Sequence, residues 1–228
     1  MKKKLVALTG AGISAESGIP TFRGSDGLWM GHRVEDVATP GGFKRNQQKV
    51  LDFYNLRRRN VADAKPNGAH HQLVKLEDSF NVVVITQNID DLHERAGSSH
   101  VIHLHGEIFK KCSSIDKGYV TPVFEDIQVG EVAPDGSQWR PFVVWFEEGV
   151  PQMNHAVTEV RDADFFVVIG TSLQVYPAAG LINYVKPGTP KFIIDNNIPN
   201  IGINTDMICI ELSATQGMME LTKHLLNN

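Results

Sequence analysis

The 228-residue sequence predicts an α/β fold: a Rossmann-like, doubly wound parallel sheet with a small inserted helical and loop lobe. Three observations predict it. Short runs rich in valine and isoleucine recur without polar alternation, as in strands buried on both faces. Amphipathic helical stripes lie between them. A glycine-rich turn directly follows the first run.

The runs cover residues 5–8, 82–86, 101–104, 165–169, 192–194 and 207–212. Ala69, Leu73 and Leu76 make one helical stripe, and Met153, Val157 and Val160 a second. Met218, Leu221 and Leu225 make a third near the C-terminus. Two stretches break the alternation. Residues 30–66 read as helix and loop; residues 107–140 read as irregular, with Gly118, Pro122, Gly130, Pro134 and Gly136. Both are assigned to the inserted lobe of one domain spanning 1–228.

Hydrophobic residues make up 42% and charged residues 21%, enough to bury an ordinary core. The net charge of −4 supplies no basic field for nucleic acid. The start Met1-Lys2-Lys3-Lys4 precedes an apolar run too short for a signal peptide, and no run is long enough to span a membrane. Two cysteines, Cys112 and Cys209, suggest no disulfide framework, so a reducing cytoplasm is expected. Cys209, in the last run, is expected in the core.

Gly10-Ala11-Gly12-Ile13-Ser14-Ala15 fits the dinucleotide turn G-x-G-x-x-G/A. Glycine lets backbone approach a pyrophosphate, and a helix start offers N–H groups to its charge. A tight strand-to-helix turn without a ligand is the other reading. A hydride-transfer dehydrogenase would carry an acidic residue at the end of a second strand about 20 residues on. Here Ser17-Gly18-Ile19-Pro20-Thr21-Phe22-Arg23-Gly24 follows instead, which disfavours that chemistry.

Gln87, Asn88 and Asp90 stand at the end of a strand, where doubly wound folds bind ligands. They suit hydrogen bonds to a ribose and a carboxamide, or an Asx turn capping a helix at 91–95. His105 ends another strand before Gly106, as a structural histidine or as a general base working near pH 7. Gly170-Thr171-Ser172 can contact phosphate or ribose, or cap a helix. Tyr54 and Arg57, at i and i+3, share a helix face, within a run that otherwise reads as a solvated basic face. A hydroxyl beside a guanidinium fork suits a carboxylate.

The segment from Gly10 to Gly24 closely resembles the signature of sirtuins. The resemblance continues in Thr86-Gln87-Asn88-Ile89-Asp90, His103-Leu104-His105-Gly106, Gly170-Thr171-Ser172-Leu173 and Asp195-Asn196, in family order. It implies an NAD-dependent lysine deacylase acting on acylated protein lysines. In that chemistry the acyl-lysine oxygen displaces nicotinamide from the ribose, and O-acyl-ADP-ribose is released. His105 and Asn88 are then the catalytic pair, with His105 as base and His103 in support.

For NAD, the resemblance implies contacts from Gly10, Ala11, Gly12, Ile13, Ser14, Ala15, Glu16 and Ser17. Thr21, Phe22, Arg23 and Trp29 follow, with Phe22 and Arg23 as a cover that excludes water. Gln87, Asn88, Ile89, Asp90 and His105 face the ribose and nicotinamide. Gly170, Thr171 and Ser172 contact phosphate or ribose, Asn196 serves the adenosine side, and Ala214 lies near the adenine. Arg140-Pro141-Phe142-Val143-Val144-Trp145-Phe146 resembles the substrate strand, so Val144, Trp145 and Phe146 are assigned to peptide binding through free edge groups. Glu147-Glu148 departs from the Gly-Glu common in relatives, which puts the local loop shape in question. Tyr54 and Arg57 resemble the Tyr-x-x-Arg pair of sirtuins that take succinyl, malonyl or glutaryl groups. Many sirtuins hold structural zinc with two Cys-x-x-Cys pairs; this lobe has Cys112 alone, so no zinc is expected.

Overall fold

The computed structural model describes residues 2–21, 29–198 and 207–226. Six strands form one parallel sheet: β1 (Lys4–Thr9), β2 (Asn81–Thr86), β3 (Val101–His103), β7 (Phe165–Ile169), β8 (Lys191–Ile194) and β9 (Met207–Ile210). Their order is β3-β2-β1-β7-β8-β9. The chain winds outward from β1 in both directions, so β1 and β7 flank the point where strand order reverses. The short helix α1 (Ala11–Ala15) leaves β1 at that point.

Alternation along β1 divides the core in two. Leu5 and Ala7 face α5 (Gly68–Leu76) and α8 (Ala214–Leu226), through Ala69, Leu73, Leu76, Met218, Leu221 and Leu225. Val6 and Leu8 face α7 (Met153–Arg161) and the 3₁₀ segment Ala178–Tyr184, through Ala156, Val160, Ala178 and Leu181. All three predicted stripes therefore lie on helices against the sheet. Asn67 caps α5 in a reciprocal box with His70, which fixes where that helix begins.

A third core belongs to the lobe. The first insertion is helical, as expected: α2 (Val34–Val37), α3 (Pro40–Arg45) and α4 (Gln47–Asp63). Val50, Leu51, Phe53, Tyr54 and Val61 of α4 pack with Ile108, Val123, Ile127, Val143 and Trp145. The second insertion departs from the sequence reading. It contains an antiparallel sheet, ordered β5-β4-β6, of β4 (Gly106–Ser113), β5 (Val120–Pro122) and β6 (Trp139–Val143). Its turn residues obscured it: Gly118, Gly130, Pro134 and Gly136 all lie in connections. Pro122 sits on the edge strand β5, where no ladder N–H is needed from it. Buried Asn55 joins the two insertions, donating from Nδ2 to the Ile127 carbonyl at 3.0 Å and accepting the Ile127 N–H at 3.0 Å.

Cys209 is a second correction. It is exposed, because β9 is the sheet's outer strand and leaves part of its side-chain face uncovered. Among the described residues no helix is long and apolar enough to cross a membrane. The helix expected at 91–95 is α6 (Leu92–Ala96), which follows β2 closely and orients the residues between them.

Candidate functional site

A cavity of about 570 Å³ opens at the carboxyl ends of β1, β2, β7 and β8, between the sheet and the lobe. That volume is in the range of sites that enclose a small ligand. Gly10 N–H donates to the Ile169 carbonyl at 3.0 Å, and Gly12 N–H to the Gly170 carbonyl at 2.8 Å. A Cβ on Gly12 would stand 2.6 Å from the Gly170 Cα. Gly170 itself has φ 61. These glycines therefore do more than the sequence reading assigned: they let the turn after β1 lie directly on the turn after β7. The cavity wall formed by Gly10, Ala11, Gly12, Ser14 and Ala15 is the exposed side of that contact.

The end of β2 supplies the polar floor. Asn88 N–H donates to Thr86 Oγ1 at 3.0 Å, and its side-chain Nδ2 donates to the Gly10 carbonyl and Ser14 Oγ, both at 3.2 Å. The amide is locked with its oxygen free of any partner among the described residues. Asp90 accepts from Ser14 Oγ at 3.1 Å and from the Leu92 N–H at 3.2 Å. Both sequence readings of this segment thus coexist: Asp90 fixes the start of α6 and also lines the cavity. Burial pushes the Asp90 carboxyl above its ordinary range, against those two hydrogen bonds. Gln87 Nε2 donates to Thr171 Oγ1 at 3.1 Å, tying the ends of β2 and β7 together.

His105 follows β3 and lines the same cavity. Its Nδ1 lies 3.0 Å from the Gln87 carbonyl. A carbonyl accepts only, so Nδ1 carries the proton and Nε2 keeps its lone pair. Burial lowers the His105 pKa, opposed by that hydrogen bond. The ring is therefore a neutral base near pH 7. His103 has a different role. Its Nδ1 meets the Asn88 carbonyl at 3.1 Å and its Nε2 meets Glu94 at 2.7 Å. Burial would lower its pKa, but the hydrogen bond and charge of Glu94 outweigh that and raise it. His103 holds the backbone that carries Asn88.

The lobe closes the opposite end. Tyr54 is buried, and its hydroxyl accepts Trp145 Nε1–H at 3.1 Å. Burial pushes its pKa up to about 12, so it stays a donor toward the cavity. Arg57, also buried, stacks its guanidinium 4.3 Å from the centre of the Trp29 ring. Its NH1 reaches Met30 Sδ at 3.5 Å, and its Nε has no partner. Among the described residues no carboxylate pairs with it. By contrast Arg58 and Arg59, its neighbours in the run, are structurally engaged: Arg58 Nε donates to the Ile108 carbonyl at 3.0 Å, and Arg59 pairs with Asp126 at 2.5 Å.

Val144, Trp145 and Phe146 line the cavity, but not with free amides. Val144 N–H donates to the His105 carbonyl at 2.9 Å, Trp145 N–H to Glu148 at 2.9 Å, and Phe146 N–H to the Ala38 carbonyl at 3.0 Å. The expected open edge of N–H groups is thus taken up inside the chain. Glu148 and Arg140, which sequence reasoning named within motifs but did not pair, organise this wall. Arg140 is buried, donates from NH1 to Glu148 at 2.8 Å and stacks 3.2 Å from the Trp145 ring centre. Their separation of eight residues gave no periodic signal.

Thr21, Trp29, Ile89, Thr171, Ser172 and Asn196 join the lining as well. Ile13, Glu16, Ser17 and Ala214 do not. Ile13 belongs to the core. Glu16 accepts from Ser213 Oγ and the Thr215 N–H at 3.1 and 2.9 Å, anchoring the start of α8 beside buried Ala214. Ser17 Oγ accepts from Asn67 at 3.0 Å. Phe22 and Arg23 lie outside the described residues. In the lobe, buried Cys112 has no second cysteine beside it, and burial pushes its thiol up. Elsewhere His100, His155 and Glu159 bring ligand atoms within 4.8 Å of one another, but Lys4 Nζ, 2.8 Å from Glu159, already neutralises that carboxylate.

The Sir2 family model matches residues 10–177 of the chain. An NAD-dependent protein deacylase of Aggregatibacter actinomycetemcomitans is 55% identical over 204 residues, covering 90% of this chain and 98% of the relative. One from Bacteroides thetaiotaomicron is 50% identical over 230 residues, covering 98% of each. Among solved structures, a Sir2 homolog–NAD complex superposes with a TM-score of 0.88 at 40% identity, covering 99% of this chain and 90% of the other. A Sir2 bound to acetylated peptide gives 0.81 at 29% identity, covering 100% and 95%.

Proposed function

The chain belongs to the Sir2 (sirtuin) family and is an NAD-dependent protein deacylase; from that premise we propose that it removes both acetyl and acidic acyl groups (succinyl, malonyl or glutaryl) from protein lysines, releasing nicotinamide and O-acyl-ADP-ribose.

One observation carries the acyl reading: Arg57 is a buried cation without an anionic partner among the described residues, and it lines the cavity beside the Tyr54 hydroxyl. Keeping an unpaired charge out of water costs several kcal/mol. Burial lowers the Arg57 pKa, while Tyr54 and the distant carboxylate of Asp90 oppose that. A terminal carboxylate on the acyl chain would complete the pair, with Tyr54 as a second donor. Such a charged hydrogen bond contributes roughly 1.5–3 kcal/mol, or about 10- to 150-fold in affinity. That favours acidic acyl groups without excluding acetyl.

The cavity fits NAD: Gly10 and Gly12 put backbone without side chains on its wall, and Asn88 presents an unpartnered amide oxygen near Asp90. NAD, when bound, supplies an electrophilic ribose carbon whose leaving group is nicotinamide. Asn88 and Asp90 hold the carboxamide end, and Gln87 the ribose. His105 takes a proton at Nε2 from a ribose hydroxyl, the role its fixed tautomer supports. Thr171 and Ser172 contact phosphate or ribose, and Asn196 holds the adenosine side. Val144, Trp145 and Phe146 wall the acyl-lysine channel.

Mass spectrometry of NAD incubated with matched acetyl-, succinyl- and glutaryl-lysine peptides tests this. Free nicotinamide and the corresponding O-acyl-ADP-ribose are expected from each, with Tyr54→Phe depressing the acidic substrates selectively. Intact dinucleotide appearing as its reduced form, or an ADP-ribosylated peptide, would overturn the product assignment.

A further inference from the structure

Glu147 stands in the left-handed region, at φ 73. Glycine adopts that conformation freely and a side chain resists it. The backbone here takes a conformation that suits the glycine which the sirtuin resemblance implies at this position, with a glutamate in its place. Glu148 N–H closes the turn onto the Trp145 carbonyl at 3.1 Å.

The two adjacent glutamates differ in what their side chains do. Glu148 is committed to Arg140 and to Lys117, each at 2.8 Å. Glu147 is exposed and has no hydrogen bond or ion pair among the described residues, yet it lines the mouth of the cavity. The protein accepts backbone strain and obtains no internal contact from this side chain. Strain of that kind collects at sites that meet a ligand. The uncommitted charge gives the ligand's sign. Arg140 and Lys117 offset Glu148, and Arg57, the one Lys or Arg among the described lining residues, is buried at the acyl end. Glu147 is left as the uncompensated charge at the mouth.

We propose that Glu147 is a specificity-determining residue that selects acyl-lysines flanked by lysine or arginine. The proposal rests on the deacylase reading and on Val144, Trp145 and Phe146 as the substrate wall. A flanking cation would meet an uncommitted carboxylate one residue beyond that wall, and a flanking acid would meet repulsion.

The test uses three acetyl-lysine peptides identical except for arginine, glutamine or glutamate beside the acetyl-lysine. Wild type, Glu147→Gln and Glu147→Gly are compared at low salt. In wild type KM should rise from the arginine to the glutamine to the glutamate peptide, by about two- to fivefold per step, the range of exposed ion pairs. The spread should shrink in about 0.5 M salt. It should collapse in both variants. Glu147→Gln keeps the strained backbone and removes only charge, so it isolates the carboxylate. Equal KM values in wild type, or a spread that survives in Glu147→Gln, would overturn the proposal. Failure of wild type on the neutral peptide would instead overturn the deacylase reading beneath it.

Discussion

His105 and Arg57 are both buried basic side chains, and their surroundings give them opposite roles. His105 is held neutral, with Nε2 as the free base atom. Its protonation should abolish turnover, so kcat/KM should rise with pH through an apparent pKa below the ordinary histidine value of 6.5. His105→Ala should lose roughly 10²–10⁴-fold in kcat, checked by nicotinamide release. Near-wild-type turnover would remove His105 from the chemistry. Arg57 stays charged and waits for an anion. The sequence told these two apart only in part. His105 was legible from its strand-end motif. The isolation of Arg57 was not, because three consecutive arginines look alike until packing commits Arg58 and Arg59 elsewhere.

At the scale of elements, the turn after β1 and the turn after β7 act as one unit. Gly12→Ala places a Cβ against the Gly170 backbone, which cannot yield as a side chain end would. We expect it to weaken NAD binding by at least about tenfold, equivalent to some 1.4 kcal/mol, measurable by calorimetry. Unchanged affinity would show that the two turns can separate without cost. The loop after Trp145 makes the reverse prediction. Glu147→Gly should stabilise the fold by about 1 kcal/mol, since the residue already holds a positive φ. Thermal unfolding would register this, and a destabilised variant would contradict it. The six parallel strands were readable because short apolar runs without alternation suit strands covered on both faces, although β9 at the sheet's edge is partly uncovered. Strands β4 and β5 were not. β4 breaks its apolar residues with the adjacent Lys110 and Lys111, β5 is only three residues long, and both lead into turns holding glycine or proline, a pattern that matches irregular chain equally well.

The whole molecule joins a sheet domain and a lobe, with the site in the crevice between them. Beneath the crevice the rings of His70 and His93 meet edge to face at 4.9 Å, both fully buried. His93 Nε2 lies 3.1 Å from Thr9 Oγ1, at the end of β1. Burial lowers the pKa of His70 to about 4 and that of His93 well below 6.5. Their folded pKa values are depressed, so the stability they permit is complete above 6.5 and lost as pH falls toward the folded values. His70 alone accounts for roughly 3 kcal/mol across that window. Urea midpoints should therefore drop between about pH 7.5 and pH 5, and the drop should be smaller in His70→Gln. Both histidines fall within segments that the sequence reads as helical, 69–76 and, in one of two readings, 91–95, but nothing in it signals that they touch. That contact depends on how α5 and α6 cross the sheet.

The most direct test of the acyl assignment is the ratio of kcat/KM for succinyl-lysine over acetyl-lysine in one peptide sequence, in wild type and in Arg57→Met. The methionine preserves bulk against Trp29 and removes the charge. If Arg57 receives the acyl carboxylate, the ratio falls by at least about tenfold, the lower end for a charged hydrogen bond, with acetyl turnover affected far less. A ratio that stays the same in the variant would contradict the assignment.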